Sequence, residues 1–136
     1  MRQQSKENSR IQRALDKRKK YLVLNEPICI FCLHLVTRRE IAHGEADLCH
    51  KIRRSEKSDV HDNFTLQTMD LNNGLGHRDC HHVFDNVPEE AVRLPGFESV
   101  MIDVYKIDKK LFCKIVSNIY FLYLAADSIL WNYYNR

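Results

Sequence analysis

Hydrophobic and polar positions divide the 136-residue chain into stretches of different period. Across residues 5–24 apolar side chains are sparse, and Ile11, Leu15 and Leu22 recur at near-helical intervals among Lys, Arg and Gln. That period predicts a helix with a thin apolar stripe, Ser5 or Ser9 as its N-cap and Pro27 just beyond its end. Residues 29–48 are short and broken in pattern. Apolar and β-branched residues gather at 35–37 and His43-Gly44 marks a turn, which suits a knuckle leading into a short hairpin.

Residues 51–70 are polar and rich in Ser, Asp and Lys, and Asn72-Asn73-Gly74 tolerates positive φ, so this stretch reads as an ordered, loop-rich connection. Asp79 is placed to cap a helix over 80–86 that Pro88 ends. Val100, Ile102 and Val104 alternate with more polar neighbours, which predicts a half-buried strand over 99–107. From 108 to 134, Leu111, Ile115, Ile119, Leu122, Leu130 and Tyr134 predict a long helix. Phe121, Tyr123 and Leu124 widen its stripe, making it a core helix or a homodimer surface. The expected organisation is a basic helical arm (1–26), a central unit (27–98) and a C-terminal strand and helix packed on it (99–136).

Composition is that of an ordinary folded chain, 44% apolar and 29% charged with only 4 Gly and 3 Pro. Its length suits one domain. Charge is uneven. Residues 1–20 hold eight Lys/Arg against Glu7 and Asp16, a net +6, so the +3 chain carries −3 elsewhere. A basic arm suits a polyanionic partner; the same residues also fit a solvated helix face. The five cysteines are odd in number and the opening MRQQSKENSR lacks an apolar leader, so an intracellular protein (cytoplasm or nucleus) without a disulfide scaffold is expected. The apolar tract 115–126 is too short to cross a bilayer, and no membrane partner is expected.

In a reducing compartment a close cysteine pair points to metal. Cys29-Ile-Phe-Cys32 is a C-x2-C pair, and His77-Arg-Asp-Cys80 repeats the ligand spacing 45 residues later. Two such turns can close a tetrahedron around a structural zinc. The alternatives are buried small side chains at Cys29 and Cys32 beside Ile28, Ile30 and Phe31, or redox chemistry, which the missing βαβ pattern disfavours. His34 is too close to Cys32 to join the same chelate turn, and Cys113 reads as core. His43, His61 and His82 receive no role.

Directly after the second pair comes His81-His82-Val83-Phe84-Asp85. The run 29–85, with Cys29/Cys32, His50 in CHKIRRS, Asn72 or Asn73, and His77/Cys80/His81, resembles the zinc-containing HNH endonucleases. NNGLGHRDCHHVFD is similar to the ending of their motif. The resemblance spans 57 of 136 residues and does not include the arm or the C-terminal segment. It implies an α+β fold with a ββα-metal (HNH, His-Me finger) core: a hairpin ending in a histidine, a loop braced by an asparagine, and a helix carrying metal ligands.

The implied activity is metal-dependent hydrolysis of DNA phosphodiester bonds. His50 would be general base, since a neutral imidazole can take a proton from water. Asn73, favoured by the Asn-Gly dipeptide, or Asn72, favoured by spacing, would brace the loop. His81 would hold Mg²⁺ or Mn²⁺ with Asp85 one helical turn on. Many relatives have Asp or His before the general base as a further ligand. Here that position is Cys49, a poor partner for Mg²⁺, with Asp47 a fallback on the same strand face. Lys51, Arg53 and Arg54 would contact the backbone of duplex DNA. The alternative expectation is a non-catalytic zinc-stabilised DNA-binding or interaction module on the same scaffold.

Overall fold

In a computed structural model, which describes residues 2–52, 70–117 and 129–135, the N-terminal stripe forms a single long helix, α1 (Arg2–Asn25). Among its described side chains, Leu15 and Leu22 are buried. The chain then makes a tight knuckle over 27–36, closed by an Ile28–Leu35 bridge, with Leu33 at φ 63°. Where a hairpin was expected to follow at once, a short helix intervenes, α2 (Arg38–Ala42). Its cause is local. Thr37 and Glu40 form a reciprocal capping box, Thr37 Oγ1 accepting from Glu40 N–H at 3.1 Å and Glu40 Oε1 from Thr37 N–H at 2.9 Å.

Strand β1 (Ala46–His50) pairs antiparallel with β2 (Asn73–His77), Ala46 opposite His77 and His50 opposite Asn73. Helix α3 (Arg78–Asn86) follows β2 without a break. It starts two residues earlier than expected: His77 is the N-cap residue and Asp79 lies in the first turn. A short α4 (Pro88–Ala91) then leads to α5 (Phe97–Ile107), α6 (Lys109–Ile115) and α7 (Ile129–Tyr134). The result is a mixed α+β protein with a two-stranded antiparallel sheet.

Two expectations for the C-terminal part are corrected. Residues 99–107 are helix rather than strand, because the buried set is Phe97, Val100, Met101 and Val104, an i, i+3, i+4, i+7 series. Nor is 108–134 one straight helix. Ser117 Oγ and Tyr134 Oη lie 2.8 Å apart, whereas 17 residues of straight helix would separate those positions by about 25 Å. Tyr133 instead packs edge-on against Tyr105 of α5, ring centroids 5.0 Å apart. The expected connection falls outside the described residues over 53–69, and so do 118–128 of the expected long helix, with Arg53, Arg54 and His61 among them.

Leu22, Phe31, Leu75, Phe84, Val100, Phe112 and Leu130 belong to one buried cluster, so arm, knuckle, hairpin and C-terminal helices share a core. The knuckle is clamped on two sides. Ile30 N–H donates to Leu75 O at 2.9 Å, and Gly96 N–H donates to Phe31 O at 2.7 Å. At Gly96 a Cβ would lie 1.8 Å from Ile30 O, a backbone atom. Gly96→Ala is therefore expected to push α5 off the knuckle and cost about 3 kcal/mol or more, read as a lower urea midpoint. No helix among the described residues is long and apolar enough to cross a membrane.

Candidate metal centre

Cys29 and Cys32 leave the knuckle toward the junction of β2 and α3, where His77 ends the strand and Cys80 sits one turn into the helix. One ligand atom from each of these four residues falls within 4.8 Å of the other three. Cys32 Sγ is 3.3 Å from His77 Nδ1. The four residues come from two short segments 45 residues apart, so it is the pairing of knuckle and β2 that brings them together.

The chemistry of this donor set fits zinc. Burial works against a charged Cys29, but N–H groups of Cys32, His77 and Phe31 converge on its sulfur and outweigh that cost, holding the thiol below its usual range. Cys32 N–H and His77 N–H reach Cys29 Sγ at 3.5 and 3.4 Å. Cys32 is raised, by burial with Cys29 beside it, and Cys80 is pushed up to about 12 by burial and then by the charges of Cys29 and Cys32. Three thiols this close resist carrying three negative charges by themselves. A divalent cation among them removes that repulsion and favours the thiolates.

A residue outside the expected set completes the arrangement. Glu40 Oε2 lies 2.8 Å from His77 Nε2 while its other oxygen accepts from Thr37 N–H and, at 3.0 Å, from Thr37 Oγ1. With Nε2–H donated to Glu40, Nδ1 is left as the lone-pair nitrogen facing Cys32. The capping-box spacing of Thr37 and Glu40 was visible in the sequence; their link to His77, 37 residues on, was not. Glu40→Ala is expected to weaken zinc binding about 10- to 100-fold in a chelator competition. Thr37→Val, which disturbs the cap and leaves the carboxylate, should do so far less.

Around this centre the other expected residues are placed as follows. His81 and Asp85 share one face of α3, with His81 Nε2 3.1 Å from Asp85 Oδ2. The His81 ring stacks on Phe31, centroids 5.6 Å apart and planes 12° from parallel, and Phe31 in turn meets Phe84 at 5.0 Å. Phe31, the residue between the two knuckle cysteines, therefore lies under the α3 histidine. His50 ends β1, half-buried, opposite Asn73.

Cys49 is buried beneath the sheet, its Sγ donating toward Gly76 O at 3.8 Å, and burial with nearby negative groups pushes its thiol up to about 12. Asp47 is turned to α1, its carboxylate 2.8 Å from Lys19 Nζ. Both asparagines are buried. The Asn72 side chain supplies a brace, its Oδ1 accepting from Ile52 N–H at 2.8 Å, while its backbone O accepts from Lys51 N–H at 2.8 Å. Lys51 is not presented to solvent as expected for a phosphate contact. Its Nζ lies 2.6 Å from Asp103 Oδ2, with 9% of the side chain exposed, and so ties the end of β1 to α5. Among the described residues, no second group of three or more His, Cys, Asp or Glu donors comes together.

The fold and this centre define a mixed α+β protein built around a Cys₃His set able to bind zinc. Compared with known proteins, the chain matches no family model, no curated protein and no solved structure.

Proposed function

We propose that the chain is a zinc-stapled, metal-dependent endonuclease of the HNH type, hydrolysing phosphodiester bonds in duplex DNA. The observation that carries this reading is the order β1, β2, α3 with two metal-ligating residues at the strand–helix junction and His81 and Asp85 paired at 3.1 Å immediately beyond. Read this way, hairpin and α3 are a ββα-metal core.

His81 and Asp85 offer one nitrogen and one oxygen donor, a mixed set that suits Mg²⁺ or Mn²⁺ with positions left for water and phosphate. A cation held there would supply positive charge to the scissile phosphate and the departing oxygen. His50 takes the proton of the attacking water, and its place at the last residue of β1, across from Asn73, fixes its height above the sheet. Asn72 holds the chain leaving β1 through its bond to Ile52 N–H. Phe31 sets the plane of the His81 ring by stacking, so the zinc knuckle also positions the proposed cation ligand. The test is supercoiled-plasmid nicking by wild type and His50→Ala protein across Mg²⁺, Mn²⁺ and Zn²⁺.

One observation favours a second reading. Cys49 occupies the place of a third ligand but is buried and strongly disfavoured as a thiolate, which suits a scaffold that binds DNA without cutting it. That protein would show salt-sensitive DNA binding and no nicking with any divalent cation.

A further inference from the structure

The lysines and arginines of α1 divide into two groups. Arg18 and Lys19 face inward and are consumed in holding the helix to the hairpin. Arg18 Nε donates to Asn73 O at 3.5 Å, its Nη2 to Asp70 O at 3.2 Å, and Lys19 pairs with Asp47. Arg10, Arg13, Lys17 and Lys20 are exposed. At 100° per residue their positions fall within an arc of about 80°, on the side away from buried Leu15 and Leu22. Arg2 and Lys6 continue the same phase in the sequence. Arg13, Lys17 and Lys20 take part in no ion pair among the described residues, and the nearby Asp16 accepts from Gln12 at 3.0 Å.

The stripe does not stop at Lys20. A groove of about 590 Å³ between α1 and α2 is lined by Lys19, Lys20 and Arg38 together with Asp16, Val23, Leu24 and Ile41. Beyond Arg38, α2 reaches the metal centre through Glu40 and His77. A cationic surface thus runs from Arg10 of α1 to the flank of the Cys₃His set.

We infer that this face of α1, continued by Arg38, is a track for the phosphate backbone of duplex DNA, whereas Arg18 and Lys19 are structural anchors. From Arg10 to Lys20 the helix rises about 15 Å, which covers about four phosphates of one strand at 3.4 Å of duplex axis each, matching the four cations. A lipid surface is the poorer partner, because an interfacial helix must insert a broad apolar face, and here Leu15 and Leu22 are buried and only Tyr21 and Leu24 remain as exposed large apolar residues among the described side chains of α1. The choice of duplex DNA as ligand rests on the endonuclease reading; the track itself does not require cleavage.

The test uses the full, zinc-loaded chain without added Mg²⁺ or Mn²⁺, and a labelled duplex titrated by fluorescence anisotropy across a NaCl series. A variant combining Arg10→Gln, Arg13→Gln, Lys17→Gln and Lys20→Gln keeps helix propensity, and its circular dichroism and zinc content establish that it is folded. The slope of log affinity against log salt is expected to shrink by about 3 to 4, with binding near 0.1 M salt at least about 100-fold weaker. Arg38→Gln alone should reduce the slope by about 1. An unchanged slope in the folded quadruple variant, or wild-type binding to anionic phosphatidylserine vesicles but not to the duplex, overturns the track. Nicking that survives His50→Ala while the quadruple variant still loses its salt slope would sink the assigned mechanism alone and leave the track standing.

Discussion

Stripping zinc from the protein with a strong chelator is expected to abolish its cooperative thermal unfolding transition. The four ligands join the knuckle to the β2–α3 junction, and the knuckle residue Phe31 sits fully buried under His81 and Phe84. Losing the cation leaves the knuckle to its backbone bonds with Leu75 and Gly96 and leaves three close thiols and a histidine with no common charge partner. Structural zinc contributes about 10–16 kcal/mol in small domains, as much as the whole 5–15 kcal/mol net stability of a typical fold. Cys29→Ser should therefore behave like the chelated protein, whereas Cys113→Ser, outside the zinc ligands though packed against the core, should keep a cooperative transition. Because thiolates and a neutral imidazole must form to bind zinc, retention should also weaken as pH falls. A sharp, unshifted transition after complete zinc removal would refute the structural role.

Replacing His50 by alanine is expected to lower Mg²⁺- or Mn²⁺-dependent nicking by about 10²–10⁴, the loss of one general base and equivalent to about 3–5 kcal/mol of barrier. His50 is half-buried at the end of its strand and makes no part of the Cys₃His set, so zinc content and duplex affinity should stay near wild type. Asp85→Asn keeps the shape of the side chain but removes an anionic donor, and should raise the concentration of divalent cation needed for half-maximal nicking. Full activity in His50→Ala would remove His50 from the mechanism, and no nicking by wild type under any cation would favour the DNA-binding module.

The features that could be read from the sequence are those whose cause is local. Two chelating pairs announce themselves by spacing because the ligands of each pair are three residues apart. The His81/Asp85 pair follows from helical period alone. What escaped was set by distant partners or by competing periods. Val100, Ile102 and Val104 fit a strand only while Phe97 and Met101 are ignored; with them, the burial has a helical period. Lys51 looks like a surface cation until Asp103 arrives from 52 residues away. Asn72 and Asn73 are neighbours of one type, and only the fold shows that the Oδ1 of the former meets Ile52 N–H. Glu40 reads as a helix cap; its meeting with His77 depends on how α2 is laid against β2.

Asn72 accepts two bonds, from Lys51 N–H and Ile52 N–H, and so closes the hairpin just beyond its last ladder pair, across 19 intervening residues in the sequence. His50 and Asn73, the last ladder pair, are thus locked in register from the residues just beyond them, Lys51 and Ile52 on one strand and Asn72 on the other.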